Sequence, residues 1–407
     1  MKFLHAADIH LDSPLSGLQA RTDRPPEELG RCTRLAFANL VDLAIEEDVA
    51  FLVIAGDLYD GDWKDFSTGL FFAAEMQRLG RPCFLLRGNH DAHSQITRRL
   101  KLPANVREFS ARRPESFVLR DLGVALHGQS FPDRAVPEDL SVTYPDPVAG
   151  LLNIGVLHTS ADDPGEHATY APCTPDRLRD KGYDYWALGH VHMRRVLHER
   201  PWIVFPGNLQ GRHAKETGAK GCTLVTAEEG RIVAVEHRSL DVLRWAALEV
   251  DATEAEDSEL LDRIAEAVRA ALAAAEERPL LARLTLTGET ELHAGLPDRA
   301  EEFAAHAAGA AIEAGGRLWI EKLQLRTRAP ARLAADALEP LRRAFLDALA
   351  DRAVADPLRA ELEALRQRVP QPARAEADIP ADALGLARLG DEAWDAVLTA
   401  LAAEGGR

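Results

Sequence analysis

The sequence predicts an α/β fold for residues 1–240, and three observations carry that prediction. Short apolar runs rich in branched and aromatic residues recur along this stretch, as buried β-strands do. Helical segments lie between some of them, such as Arg34 to Asp48, in which Phe37, Leu40, Val41 and Ala44 recur at helical spacing. Each run ends at Gly, Asp, Asn or His. The ends of the strands are also where open α/β sheets bind ligands. We therefore expect a central sheet or sheet pair covered by helices.

Six strands are predicted in this region. In chain order they are KFLHAA at the start of the chain, AFLVIAG (50–56), PCFLLRG (82–88), LNIGVLH (152–158), YDYWALGH (183–190) and WIVFPGN (202–208). His5 alternates with apolar neighbours in the first run and is expected in the strand interior.

After residue 240 the pattern changes to strand, alanine-rich helix, strand, helix and strand, which predicts a small α+β domain over 241–328. Residues 329–407 read as a helical tail, with a linker near 369–380 and a last helix around Glu392 to Ala403. An apolar stripe at helical spacing supports the tail helix, formed by Leu338, Leu341, Phe345 and Leu349.

Composition limits the class of protein. The chain has 407 residues, too many for one ordinary domain, and 46% are hydrophobic. Its net charge of −17 argues against generalised nucleic-acid binding, although it leaves room for a phosphate substrate held by local cations. The four cysteines form no C-x-x-C pair, and no apolar stretch reaches the length of a membrane span. These features predict a cytoplasmic protein with no membrane partner.

Asp, Asn and His residues recur just after the predicted strands. Side chains two apart in an extended segment share a face, so a D-x-H pair and an H-x-H pair are each expected to reach one site. The collected residues are Asp8, His10, Asp57, Asn89, His158, His190 and His192, with His90 beside them. Such a mixed N/O donor set suits two divalent ions, manganese, iron or zinc, which can clamp a phosphate and activate a water for in-line attack. His127 also ends a short apolar run and is the alternative to His158.

The same motifs carry a family resemblance. D-x-H, G-D, G-N-H-D, a lone His and G-H-x-H in this order resemble the calcineurin-like metallophosphoesterase superfamily over roughly the first 215 residues. FLHAADIHLD, AGDLYDGDW, LRGNHD and YDYWALGHVHMRRV…VFPGNLQGRH are similar to the SbcD-like DNA repair exonuclease branch, especially its YhaO type. The resemblance implies a β-sandwich flanked by helices, followed by a capping domain and a helical segment.

The resemblance also implies roles for single residues. Asp8, His10 and His192 would hold one metal, Asn89, His158 and His190 the other, and Asp57 would bridge them. Mn²⁺ is the expected metal, with Fe or Zn as alternatives. His90 would be the catalytic histidine, with Asp91 able to orient its ring.

One position departs from the family pattern. The repair nucleases of this branch carry a second histidine three residues after the bridging aspartate, and here that position is Asp60. An aspartate can accept a hydrogen bond from His90 but cannot act as a neutral donor. Arginines flanking the motifs are the candidate phosphate contacts: Arg87, Arg194 and Arg212.

Three functions fit these features. The first is a DNA repair nuclease, exonuclease or endonuclease, that acts with an SMC-like ATPase docked on the tail; a homodimer is compatible with it. The second is a small-molecule phosphodiesterase or phosphatase on the same metal site, which the acidic net charge favours. The third is a non-catalytic scaffold for a DNA end or the ATPase, for which Asp60 is the hint and against which the intact His90 and ligand set weigh.

Overall fold

Two six-stranded β-sheets form most of the chain before residue 240. They are seen in a computed structural model that describes residues 1–13, 15, 31–60, 65–92, 101–161, 170–330, 335–369, 388–394 and 396–397. The strands, numbered in chain order, are β1 (Lys2–Ala6), β2 (Phe51–Ala55), β3 (Cys83–Leu86), β4 (Val106–Glu108), β5 (Glu115–Leu119), β6 (Val124–Gly128), β7 (Leu152–His158), β8 (Tyr185–Gly189), β9 (Arg195–Glu199), β10 (Trp202–Phe205), β11 (Gly221–Glu228) and β12 (Arg231–Ser239).

Parallel pairing brings the ends of the functional strands together. The first sheet has the order β12-β11-β1-β2-β3-β4, in which β1 to β4 are parallel neighbours. The second has the order β5-β6-β7-β8-β10-β9, in which β6, β7, β8 and β10 are parallel. Because parallel strands end at the same edge of a sheet, the residues after β1, β2 and β3 lie side by side, as do those after β7 and β8.

The two sheets pack face to face around an apolar core. Alternate residues of β2 divide between its two faces: Phe51 and Val53 join β7 residues such as Ile154 in the core between the sheets. Leu52 and Ile54 point to the outer core, which two helices cover, α1 (Cys32–Glu46) and α2 (Phe66–Leu79). A short helix, α3 (Pro175–Asp180), buries Leu178 in the outer core of the second sheet. The predicted β-sandwich flanked by helices is confirmed.

His5 ties the sandwich together. Its ring is fully buried, with Nδ1 3.0 Å from the Tyr185 hydroxyl and Nε2 3.1 Å from the Leu188 carbonyl oxygen, both on β8. Burial, only partly opposed by the Leu188 carbonyl, lowers the pKa of His5 to about 3. The side chain is therefore a neutral structural link, as its place in the first strand predicts.

A third sheet follows, with order β13-β14-β15. Its strands and the helices after β12 are β13 (Arg244–Asp251), α4 (Asp257–Ala274), β14 (Leu280–Glu289), α5 (Ala300–Glu313), β15 (Leu318–Arg328), α6 (Ala335–Ala350) and α7 (Arg352–Arg368). The predicted order of elements and the C-terminal helical segment are confirmed. The predicted linker lies outside the described residues except for Val369, and the last helix is described only in part.

Two compact units are distinguished by the contacts within each. The first is formed by Met1–Ala247, Ala270–Arg283 and Ala311–Glu321, and the second by Leu248–Arg269, Leu284–Ala310 and Lys322–Arg407. None of the described helices is long and apolar enough to cross a membrane.

Candidate metal centre

The loops that carry the predicted ligands have an unusual backbone. Strand β1 ends at Ala6 and β8 at Gly189, so Asp8, His10 and His190 lie beyond the strands rather than in them. Asp8 (φ 51°), His10 (φ 46°), Asp57 (φ 53°) and His190 (φ 104°) have positive φ. The expectation that D-x-H and H-x-H share a face by extended alternation is therefore wrong in its reasoning. A left-handed backbone, uncommon for residues with a Cβ, positions them instead, and such strain clusters at functional sites.

Asp8, His10 and His192 form a first group. One ligand atom of each lies within 4.8 Å of the others, and the His10 and His192 ring centroids are 5.2 Å apart. The Asp8 carboxylate accepts the His190 backbone N–H at 2.9 Å, which ties the loop after β1 to the loop after β8. Burial and then the Arg212 charge lower the pKa of His10 well below its usual value, so its ring is neutral and able to bind a metal.

Asn89, His158 and His190 form a second group beside the first. His158 Nδ1 donates to the Ala55 carbonyl oxygen at 3.0 Å, its Nε2 lies 3.0 Å from Asn89 Oδ1, and the His158 and His190 ring centroids are 5.3 Å apart. Burial lowers the pKa of His190 to about 3. The His190 ring therefore lies beside His158, whereas His192 lies with Asp8 and His10.

Glycine is required where the strands approach His158. A Cβ on Gly88 would lie 2.3 Å from Asp57 Oδ1 and 2.7 Å from His158 Cε1. A Cβ on Gly189 would lie 2.0 Å from the Ala55 carbonyl oxygen. The Gly of "GNHD" and the Gly of "GHVH" thus leave space for the ligand side chains next to them.

Asp57 lies between the two groups. Its Oδ2 is 3.8 Å from His10 Nε2 and 3.5 Å from His158 Nε2, and its Oδ1 accepts the His90 backbone N–H at 3.0 Å. Burial opposes ionisation, but His158 and His10 lower the pKa of Asp57 well below its usual value. A carboxylate in this place can contact ions in both groups.

These residues suit divalent cations. His10 is fully buried, yet among the described residues neither of its ring nitrogens has a hydrogen-bond partner. Because His158 Nδ1 carries the proton donated to Ala55, its Nε2 presents a lone pair to the oxygens of Asn89 and Asp57. Three acceptors that converge in this way need a cation or an extra proton. Burial lowers the pKa of His158, but the charge and hydrogen bond of Asp57, with Asp8 and the Ala55 carbonyl, together raise it to about 9.

His90 and Asp60 form a pair at the edge of the first group. His90 Nδ1 is 2.9 Å from Asp60 Oδ1, and a third of the His90 side chain is exposed. Burial lowers the pKa of His90, but the hydrogen bond and charge of Asp60, with the charge of Asp57, raise it overall. Ser13 Oγ donates to Asp60 Oδ2 at 2.9 Å, which fixes the carboxylate.

Asp91 does not make the contact expected of it. Its carboxylate accepts the backbone N–H groups of Leu58 (3.1 Å), Tyr59 (2.9 Å) and Gly88 (3.2 Å), and the carboxylate beside His90 is that of Asp60. Burial and then the Asp57 charge raise the pKa of Asp91 to about 7. Asp91 therefore joins the loop after β2 to the loop after β3 rather than orienting the His90 ring.

Of the three candidate arginines, Arg212 lies at the site. Its Nη1 is 3.2 Å from Ser13 Oγ and 3.8 Å from Asp60 Oδ2. Arg87 is paired instead with Glu108 at 3.1 Å. The Nε of Arg194 is buried and has no hydrogen-bond partner among the described residues.

Sequence reasoning missed Glu216. This buried carboxylate lies 2.5 Å from His192 Nδ1 and 3.3 Å from His213 Nε2. Burial opposes its ionisation, but the hydrogen bonds from His192 and His213 lower its pKa far below the usual range. The only signal in the sequence is its proximity to PGNLQGRH, a motif without an assigned chemistry. His127, the alternative to His158, binds Ser116 Oγ (2.7 Å) and Asn153 Oδ1 (3.1 Å) and joins neither group.

Known families match two separate parts of the chain, one before residue 240 and one after it. The calcineurin-like phosphoesterase family matches residues 1–194, and the middle domain of metallophosphoesterase YhaO matches residues 245–328. The chain is 36% identical over 295 residues to the uncharacterised metallophosphoesterase YhaO of Bacillus subtilis (strain 168), covering 71% of this chain and 72% of that protein.

Two archaeal proteins described as DNA double-strand break repair protein Mre11 match at lower identity. The one from Methanopyrus kandleri is 27% identical over 267 residues, covering 58% of this chain and 56% of that protein. The one from Sulfurisphaera tokodaii is 24% identical over 262 residues, covering 59% and 63%. This chain spans less than two thirds of each.

Proposed function

The chain belongs to the calcineurin-like metallophosphoesterase family, and from that premise we propose that it is a two-metal phosphodiesterase that cleaves DNA in repair, together with an SMC-like ATPase. Phosphoester hydrolysis is the chemistry of the family. The DNA substrate is supported by the relatives described as DNA double-strand break repair proteins. The ATPase partner is proposed from the family resemblance.

The position of Asp57 is the observation that carries the proposal. Its Oδ2 lies within 4 Å of one imidazole from each group, as a carboxylate shared by two ions requires. We assign Asp8, His10 and His192 to one ion, Asn89, His158 and His190 to the other, and Mn²⁺ as the metal. Bound ions would supply Lewis-acid activation of the phosphate and a water nucleophile of lowered pKa.

His90 is the proposed general acid. Asp60 engages its Nδ1 and raises its pKa, which leaves Nε2 to donate a proton to the leaving oxygen. Asp60 thus acts by orienting the His90 ring, which was the role first expected of Asp91, and by helping to raise its pKa. Arg212 is the proposed phosphate contact, since its guanidinium lies beside Asp60.

A small phosphodiester is the second candidate substrate. Arg87 is paired with Glu108, and among the described residues Arg212 is the one of the three candidate arginines with a contact to Asp60, the partner of His90. That leaves one of the three arginines at the site. A single cation suits a small diester better than a long phosphate backbone, which is usually met by several.

The test is one assay series with Mn²⁺ on linear duplex DNA, single-stranded DNA, cyclic nucleotides and a bis-aryl phosphodiester. His90→Ala should lower the rate of hydrolysis about 10²–10⁴-fold, because it removes the proton donor, while the protein keeps its metal. His293→Ala is the matched control, since His293 lies outside both groups and hydrogen-bonds Thr327.

The outcomes separate the candidates. Cleavage of the small diesters with every DNA form left intact rejects the nuclease and favours the second candidate. Full activity in His90→Ala rejects the assignment of the acid.

A further inference from the structure

Glu216 lies at the end of the segment PGNLQGRHAKE, which follows β10, and both of its carboxylate oxygens are used. Oε1 is 2.5 Å from His192 Nδ1. Oε2 accepts from Asn208 Nδ2 at 3.0 Å and from the Arg212 backbone N–H at 2.7 Å. The residue is only 6% exposed, so the carboxylate depends on these donors rather than on water.

The contact with His192 has a consequence for the metal centre. A carboxylate only accepts, so Nδ1 of His192 must carry the proton, and Nε2 is left with a lone pair. His192 also presents a ligand atom to Asp8 and His10. We propose that Glu216 is a positioning residue for the metal centre, holding His192 in the tautomer and orientation in which Nε2 binds the ion of the first group. Carboxylates behind metal-binding histidines act in this way and make the imidazole a better ligand.

The surroundings of Glu216 hold it in place. A Cβ on Gly211 would lie 2.7 Å from the Glu216 carbonyl oxygen, so the turn between the two residues closes tightly. Lys220 Nζ donates to the His192 carbonyl oxygen at 2.9 Å, which fixes the backbone of the same histidine. His192 is therefore restrained at its ring by Glu216 and at its backbone by Lys220, both of which lie between β10 and β11.

The same carboxylate also restrains Arg212. Besides accepting the Arg212 backbone N–H, Glu216 lies 3.8 Å from the Arg212 guanidinium. The buried Glu216 carboxylate thus contacts both His192, a proposed metal ligand, and Arg212, the proposed phosphate contact. This assigns a purpose to the PGNLQGRH motif, which is otherwise only a loop between β10 and β11.

The experiment measures metal binding rather than turnover. Chelator-treated protein is titrated with Mn²⁺, and the affinities of the two ions are obtained by calorimetry and by the electron paramagnetic resonance of free Mn²⁺. Glu216→Gln should bind one of the two ions about 10–100-fold more weakly and leave the other unchanged. Glu47→Gln is the control, because Glu47 also accepts from two cationic side chains, Lys2 and Arg238, but contacts no ligand.

A double-mutant cycle separates positioning from simple support of the fold. If Glu216 acts through His192, the Glu216→Gln change should cost no further affinity in a His192→Ala background. Two-ion binding in Glu216→Gln equal to that of the wild type, or an additive loss in the cycle, would overturn the inference. If Glu216→Gln does not fold, Glu216→Asp takes its place, because it keeps the negative charge on a shorter side chain. Its two-ion binding and its double-mutant cycle with His192→Ala are then compared in the same way.

This inference rests on the proposed function only in taking His192 as a metal ligand. A wild-type protein that binds no divalent ion overturns both. Two-ion binding with the predicted effect of Glu216→Gln, but without cleavage of any phosphodiester, overturns the proposed function and leaves the role of Glu216 standing.

Discussion

At the scale of single residues, Asp60 helps to raise the pKa of His90. The carboxylate lies 2.9 Å from Nδ1. Burial lowers the pKa of His90, but the hydrogen bond and charge of Asp60 and the charge of Asp57 together raise it. A general acid works while protonated, so activity should fall as the pH rises through that pKa. Asp60→Asn removes the charge and lowers the pKa, and the fall should then begin at a lower pH. The measurement is the pH dependence of kcat.

Asp60→His tests the same point from the family pattern. An imidazole in place of the carboxylate also removes the negative charge. In Asp60→His the fall of kcat at high pH should therefore begin at a lower pH than in the wild type, as in Asp60→Asn. Asp65→Asn serves as the control, since Asp65 caps α2 through Ser67 and touches neither His90 nor the ligands. A pH profile identical in wild type and both Asp60 variants would contradict this account.

Residue identity could be predicted from the sequence better than residue contacts. The seven side chains collected from the motifs lie in or between the two groups, because each follows an apolar run whose end is visible in the sequence. They did not reveal which carboxylate meets His90, because Asp60 and Asp91 come from different loops and the backbone path decides between them. Glu216 was missed for the same reason: its partner His192 is 24 residues away, across β9 and β10.

At the scale of elements, the ends of β2, β3 and β8 approach so closely that glycine is needed. Gly88→Ala would place a methyl group 2.3 Å from Asp57 Oδ1 and 2.7 Å from His158 Cε1. Either side chain must move, so we expect Mn²⁺ affinity to fall by at least about tenfold and stability by about 1–3 kcal/mol. Metal titration and thermal unfolding check both effects.

Gly309→Ala is the matched control for this substitution. Gly309 lies inside α5, and among the described residues an added Cβ would meet no heavy atom within 4 Å apart from its chain neighbours and the nearby backbone of its own helix. The change should stabilise the protein by about 0.5–1 kcal/mol, because alanine is the better helix former. Unaltered metal affinity in Gly88→Ala would show that the loops are more adaptable than the contacts indicate.

Burial explains why several strands could be predicted from the sequence and why the exposed edge strands could not. The six predicted strands correspond to β1, β2, β3, β7, β8 and β10, five of which are almost wholly buried and read as continuous apolar runs. The edge strands β5, β9 and β12 are half exposed, so their sequences mix charged and apolar residues and give a weak signal. Two buried strands, β6 and β11, were not predicted either, although β6 pairs with β7 and β11 pairs with β1.

At the scale of the whole molecule, metal binding and folding should be linked. The proposed ligands come from five separate stretches between residues 8 and 192, all in the unit that contains Met1–Ala247, and converge only when both sheets have formed. An ion that binds the folded state alone, at 100 times its dissociation constant, stabilises it by about 2.7 kcal/mol. For a unit of this size that raises Tm by roughly 5–10 °C.

Thermal unfolding with saturating Mn²⁺ and with chelator measures this linkage. Asp57→Asn is the informative variant. Among the described residues, Asp57 is the one side chain with a carboxylate oxygen within 4 Å of an imidazole of each group. Its loss should remove most of the Mn²⁺-dependent rise in Tm while leaving the chelator-treated fold intact. Equal Tm values for the wild type with Mn²⁺ and with chelator would mean that the converging side chains do not hold a metal. An undiminished rise in Asp57→Asn would mean that they hold it without a shared carboxylate.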